Sequence, residues 1–167
     1  NLLISNKVNN ANTSIKVYTL DDYSFNFFSD VHNNVELFKK EDFADNYYSQ
    51  ADENFGNLML VKFELIYREL LKNENVIYVD GDIVFKKDFR DYLVNYSTQS
   101  DIVFQNDLRP SKPNREWVCA GLMYIKSNET TKDFFKPTKK LVRKFKRYKT
   151  NDQSYITKSR RKFSYSI

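Results

Sequence analysis

The stretch Val76-Ile77-Tyr78-Val79-Asp80-Gly81-Asp82-Ile83-Val84-Phe85 decides how this chain folds. Four apolar, β-favouring residues run into Asp-Gly-Asp, and three more apolar residues follow. A run continuously apolar over so short a length reads as a strand covered on both faces. Gly81 lets the backbone turn where the strand ends, so the carboxylates of Asp80 and Asp82 can converge on one point. Two acids at the mouth of a buried strand are costly unless a cation lies between them. A divalent metal with a phosphorylated ligand meets that need, because Mg²⁺ and Mn²⁺ take carboxylate and phosphate oxygens together. From the spacing alone the alternative is a strand-to-loop turn whose acids point into water.

Outward from this stretch, short apolar runs alternate with helical patterns. Ile15–Leu20, Val35–Phe38, Val76–Asp80, Asp101–Phe104 and Gly121–Lys126 read as strands, with Phe163–Ile167 a candidate sixth. Helices are expected over Phe25–Val31, Asn57–Lys72, Phe89–Tyr96 and Thr138–Lys149. In the second of these, Met59, Phe63, Ile66 and Leu70 share one face, Glu64 and Arg68 can pair one turn apart, and Asn73-Glu74-Asn75 stops the helix. In the last, Leu141, Val142, Phe145 and Tyr148 form an apolar stripe that reads as docking on the protein's own core, with a membrane-surface helix as the alternative. The alternation predicts an α/β fold: a mostly parallel, Rossmann-like sheet with helices on both faces. Ligands bind beyond the carboxyl ends of such strands, where Asp80 and Asp82 stand.

At 167 residues the chain reads as a single domain over 1–167, whether complete or a fragment of a longer chain, and it is large enough to bury a core. It starts at Asn1 rather than Met, which is compatible with a removed leader or upstream domain. No apolar run approaches the ~20 residues that span a bilayer. One cysteine, Cys119, excludes an internal disulfide and favours a reducing, cytoplasmic compartment. The net charge of +5 hides an asymmetry. Residues 132–167 carry 13 Lys/Arg against Asp133 and Asp152, a net of +11, whereas residues 1–131 sum to −6. An acidic body with a basic C-terminal part suits an anionic partner: phosphate groups, nucleic acid or a membrane surface. Nucleic acid ranks lowest, since no recognised binding module accompanies the charge.

Asp80-Gly81-Asp82 after its strand resembles the DxD motif of nucleotide-sugar glycosyltransferases of the GT-A fold. Phe55-Gly56-Asn57-Leu58 to Leu71 resembles the helix before the DxD strand in glycogenin-like and related nucleotide-diphospho-sugar transferases. Cys119-Ala120-Gly121-Leu122-Met123-Tyr124-Ile125-Lys126-Ser127-Asn128 resembles their strand beside the donor sugar, and Asn151-Asp152-Gln153 resembles the short motif that opens a helix near the reaction centre. The resemblance implies that Asp82 binds Mn²⁺ or Mg²⁺ and that Asp80 shares the metal or holds the ribose. The metal would bridge the diphosphate of a UDP- or GDP-sugar and stabilise the leaving charge. Ala120 and Gly121 would lie against the sugar, and Asp152 would contact sugar or acceptor near the anomeric carbon, with Gln153 as its companion; the alternative for Asp152 is a helix N-cap. Lys62 matches a lysine that faces the active site, or is a surface helix lysine. Tyr18, Thr19 and Asp21 stand where base and ribose contacts would be. The acceptor would be the hydroxyl of a glycan or glycoprotein, and the best-known relatives retain anomeric configuration.

Two departures accompany the likeness. The C-terminal His-x-x-Gly-x-x-Lys segment is absent, and the one histidine, His32, lies far upstream. The first strand and its loop are short, with only Leu2–Ser5 to supply the strand. Lys158–Lys162 could replace the missing phosphate-binding lysine. Two rival readings stand beside the transferase. Asp80-Gly81-Asp82-Ile83-Val84 also satisfies the D-x-D-x-T/V pattern of haloacid-dehalogenase-like phosphotransferases, and a degenerate domain would bind a sugar nucleotide without turnover.

Overall fold

The computed structural model describes residues 14–38, 55–107, 117–148 and 151–167, together with the isolated Leu3. Of Leu2–Ser5 only Leu3 is therefore described, and the loop Pro110–Pro113 lies outside the described residues. Along the chain come β1 (Val17–Thr19), α1 (Asp22–Ser29), β2 (Val35–Leu37), α2 (Phe55–Leu70) and β3 (Val76–Val79). Then follow α3 (Arg90–Ser97), β4 (Ile102–Asn106), β5 (Val118–Ile125), α4 (Glu129–Phe135), α5 (Lys139–Tyr148) and α6 (Asp152–Ser159). A 3₁₀ turn over Arg160–Lys162 leads into β6 (Tyr165–Ser166). Among the described residues no helix is long and apolar enough to cross a membrane.

The fold is α/β, as expected, but the main sheet is mixed rather than mostly parallel. β1 and β2 pair in parallel, while β3, β5, β4 and β6 form a separate sheet in that order. β4 and β6 are parallel, and β5 runs antiparallel to both of its neighbours. The cause is the connection. Only residues 107–117 join β4 to β5, short of the dozen or more that a parallel crossover needs. β3 is also half-buried along its length rather than fully covered, because among the described residues its outer edge faces an open cleft and pairs with no further strand.

The β4–β5 ladder carries a large irregularity. Phe104 lies opposite Met123, but the next residue, Gln105, lies opposite Cys119. Ala120, Gly121 and Leu122 are thus released from β4, although Leu122 still pairs with Val79 on β3. A bulge of this kind leaves backbone groups free for other partners.

Helices cover both faces of the sheet. On β4, Ile102 and Phe104 join the main core while Val103 alternates to the opposite face, on the side of α3 and its buried Leu93. The main core centres on Phe63 of α2, whose ring meets Phe134, Phe135, Phe145 and Tyr155 at 5.0–5.9 Å. The α2 face forecast by the 3.6-residue period is the buried one. Arg68, however, pairs with Glu36 of β2 at 2.5 Å rather than with Glu64. On α5, Leu141 and Phe145 are buried and Val142 packs against the core, so the stripe docks internally.

Two helices fall outside the periodicity: α4 and α6 have seven and eight residues, and both are set by caps. The Asn128 carboxamide accepts from the Thr131 amide at 3.0 Å, and the Thr131 hydroxyl closes a capping box. Asn128 also donates to Asp101, which accepts from the Ser164 amide (2.9 Å) and hydroxyl (2.8 Å), joining β4, α4 and the start of β6. Burial opposes the charge on Asp101, but these hydrogen bonds outweigh it and hold the carboxyl below its ordinary value. The lowered folded value means that this stabilisation is present above the unfolded carboxylate pKa and is lost as pH falls through the folded one. Asp101→Ala should therefore cost about 1–2 kcal/mol at neutral pH, a difference that shrinks below about pH 4 in urea titrations.

Candidate functional site

Lys62 sits on α2 beside Phe63 and is only 7 % exposed. Burying an ammonium group is tolerated when every proton finds an acceptor. Here three acceptors surround it: the Ala120 carbonyl at 2.7 Å, Asp152 Oδ2 at 2.5 Å and Asp80 Oδ1 at 3.3 Å. The Ala120 carbonyl is available because the bulge frees it from β4. The ammonium also lies 4.4 Å from the centre of the Tyr78 ring, within cation–π range. Lys62 is thus a crosspiece joining the end of β3, the bulged strand and α6.

Asp80 follows β3 directly. Its amide donates to the Gly121 carbonyl at 2.8 Å, which extends the β3–β5 ladder by one rung. Its Oδ1 accepts from the Tyr78 hydroxyl at 2.6 Å as well as facing Lys62. Oδ2 turns towards Gly121, where a Cβ would lie 3.0 Å from it. The missing side chain of Gly121 is what admits the carboxylate. Gly81 behaves differently from expectation: no glycine among the described residues has positive φ, and a Cβ on Gly81 would meet nothing within 4 Å. The turn from Asp80 to Ile83, closed by a 3.2 Å bond, needs no glycine. Asp82 lies on this turn and is exposed.

Asp152 opens α6, but the cap is Asn151, whose side chain accepts from the Ser154 amide at 2.7 Å. With capping assigned to Asn151, one Asp152 oxygen accepts from the Gln153 amide at 2.8 Å and the other meets Lys62. Gln153 donates from Nε2 to Asp107 at 3.0 Å and so points towards the end of β4. Lys62, Asp80, Ala120, Gly121 and Asp152 are brought together from positions up to 90 residues apart.

A cleft of about 830 Å³ lies between β1, α2 and β3, and Tyr18, Lys62, Asp80 and Asp152 are on its walls. Tyr18 donates to Glu69 on α2, seven residues and roughly 10 Å beyond Lys62. Lys16 braces the same corner through Glu36 at 2.7 Å and Glu69 at 3.6 Å. Thr19 is buried, and its hydroxyl has no partner among the described residues. Asp21 caps α1, accepting from the Ser24 amide at 2.6 Å and hydroxyl at 2.8 Å. Tyr18, Thr19 and Asp21 therefore stand apart from the Lys62 cluster. The segment from Lys158 to Lys162 lies elsewhere: Arg160 stacks on Tyr165 of β6 at 5.6 Å, and Lys158, Arg161 and Lys162 are exposed.

This constellation occurs within a sequence pattern that spans nearly the whole chain: the family model for nucleotide-diphospho-sugar transferases matches residues 10–165. The chain belongs to the nucleotide-diphospho-sugar transferase family. No curated protein and no solved structure shows a match to it. As a member of this family the chain has a glycosyltransferase-type function, taking a nucleotide-sugar donor and a sugar acceptor.

One residue of this transferase's site escapes a reading of the sequence. Tyr78 looks like any apolar strand residue, yet its hydroxyl holds Asp80 and its ring faces Lys62. Burial, then the charges of Asp80, Asp152 and Asp82, push the Tyr78 phenol well above its usual range, so it remains a donor. The signal available was its place two residues before Asp80, on the same face of the strand. Tyr78→Phe should cost about 1 kcal/mol of stability in chemical denaturation while keeping the ring, and should weaken donor binding several-fold.

Proposed function

We propose that this protein is a metal-dependent transferase that moves a sugar from a UDP- or GDP-sugar to a hydroxyl of a glycan or protein-linked glycan. The observation that carries the proposal is the cluster at the carboxyl end of β3, where Lys62, lining the cleft with Asp80 and Asp152, ties both carboxylates to the Ala120 carbonyl. Asp80 and Asp82 are the candidate ligands for Mn²⁺ or Mg²⁺. Among the described residues no group of three or more His, Cys, Asp or Glu side chains gathers to hold a metal. Two carboxylates nevertheless suit these ions, which commonly take one or two carboxylates and complete their shells with phosphate oxygens and water. Asp82 is exposed, and Asp80 is 41 % exposed at its side chain, so both are open to such a ligand. When bound, the metal would supply Lewis-acid stabilisation of the departing diphosphate.

The chain's own residues have separate tasks. Gly121, buried in β5, makes room for the Asp80 carboxylate that would face the donor. Lys62 fixes Asp152 and Asp80 relative to each other, with its protons committed to protein acceptors, which makes it a positioning residue. Asp152 is the carboxylate offered to the sugar or the acceptor hydroxyl, and Gln153 with Asp107 frames the same end of the sheet. Tyr18, Thr19 and Asp21 are assigned to the nucleoside side, which agrees with Tyr18 standing about 10 Å along the cleft from Lys62. Retention of anomeric configuration and a cytoplasmic setting complete the proposal.

A panel of UDP- and GDP-sugars, each with and without Mn²⁺ and scored for binding, hydrolysis and transfer, tests it. Mn²⁺-dependent transfer from one donor supports it. Binding without turnover would leave an inert sugar-nucleotide binder, and phosphate release from simple monoesters would favour the phosphatase. Asp82→Ala should abolish metal-dependent donor binding, and retained Mn²⁺-dependent binding would remove Asp82 from the site.

A further inference from the structure

Among the described residues a group of unpaired cations lies away from the cleft. On α5, Lys139, Lys140, Arg143 and Lys144 are all exposed, and Lys158, Arg161 and Lys162 are exposed on and just after α6. Among the described residues none of Lys139, Lys140, Arg143, Lys158, Arg161 and Lys162 has a carboxylate partner. Lys139 with Arg143 and Lys140 with Lys144 are like charges one turn apart, an arrangement that destabilises an isolated helix. The two helices adjoin: Lys144 of α5 lies over the Tyr155 ring of α6 at 5.1 Å, and Lys158 stands one turn beyond Tyr155. The result is a basic surface in a chain whose residues 1–131 carry a net −6.

We infer that this face seats the protein on an anionic lipid surface. The apolar side of α5 is already used by the core through Leu141 and Phe145, so the contact is electrostatic and does not insert. Charge complementarity directs this basic surface towards the anionic one. Among the described residues the exposed aromatics Tyr23, Phe27, Tyr92 and Tyr96 belong to α1 and α3 rather than to the basic helices, where stacking platforms for single-stranded nucleic acid would be needed. α6 links the two functions. Its first residue, Asp152, lines the cleft, and its far end, about 12 Å away, leads into Arg161 and Lys162. Seating by this face would hold the cleft within reach of an acceptor displayed on the same surface.

The test is flotation of the full chain with vesicles of phosphatidylcholine alone and with about 30 mol% phosphatidylserine added. Binding is expected only to the anionic vesicles and should fall steeply as salt rises from about 0.05 to 0.5 M. The triple variant K139Q/K140Q/R143Q, which spares the buried residues and Lys144, should weaken vesicle binding about 100-fold, taking each lost cation as roughly five-fold. An unchanged circular dichroism melt establishes that the variant is folded, and K158Q/K162Q provides a second, independent pair of neutralisations. Absence of binding to anionic vesicles at low salt, equal binding to neutral ones, or tighter binding to a duplex or single-stranded oligonucleotide would each overturn the inference.

Discussion

Lys62→Met is expected to destabilise the protein by about 3 kcal/mol and to abolish donor binding. The magnitude follows from what remains behind. Removing one member of a buried ion pair leaves its partner as an uncompensated charge, at a cost of about 3–5 kcal/mol. Here the partners are unequal. Asp152 is 13 % exposed at its side chain and loses its closest cation, whereas Asp80 is 41 % exposed and can be hydrated. The lower end of the range therefore applies. Urea denaturation should show the loss, and the double variant Lys62→Met/Asp152→Leu should recover most of it, since an apolar pair needs no counter-ion. Activity should stay lost in the double variant. Recovery of transfer there would mean that Asp152 has no part in the chemistry.

Gly121→Ala is expected to cut donor turnover at least ten-fold, while Gly81→Ala leaves it within two-fold. A Cβ on Gly121 would stand 3.0 Å from Asp80 Oδ2 and 3.6 Å from Cys119 Sγ. The Asp80 carboxylate cannot simply swing aside, because its other oxygen is tied to Tyr78 and faces Lys62. Either those bonds stretch or the bulged strand moves, and both displace the groups proposed to meet the donor. Gly81 sits in open space without a left-handed φ, so an added methyl touches nothing. Steady-state kinetics with the donor found by the panel would check the contrast. Equal effects at the two glycines would remove the close approach at Gly121 from the account.

Much of this was legible in the residues. The strand β3, the amphipathic α2 and the Leu141, Val142 and Phe145 part of the α5 stripe announce themselves in the pattern of apolar residues, and five of the six strands match expected runs to a residue or three, with β6 inside the candidate sixth. The direction of β5 was not legible. Val118–Ile125 has the same apolar character whichever way it runs, and only the short link from β4 distinguishes the two. α1 begins three residues earlier than its apolar pattern because Asp21 caps it, and α4 and α6 depend on Asn128 and Asn151. The hydrogen bonds of Lys62 were hidden for another reason: they cross 18 to 90 residues of chain, and no local pattern encodes such a distance.

The position of β5 bears on how the protein assembles. β3 and β4 are consecutive in sequence, yet neither can bond to the other, because the strand that separates them is synthesised later. Until Val118–Ile125 slots between them, Asp80 has no Gly121 carbonyl to meet and Lys62 has no Ala120 carbonyl. The sheet must therefore close by a long-range insertion, a slow class of event that exposes two unpaired strand edges while it waits. Catalytic competence should consequently appear in the last kinetic phase of refolding, after the helical signal has already recovered.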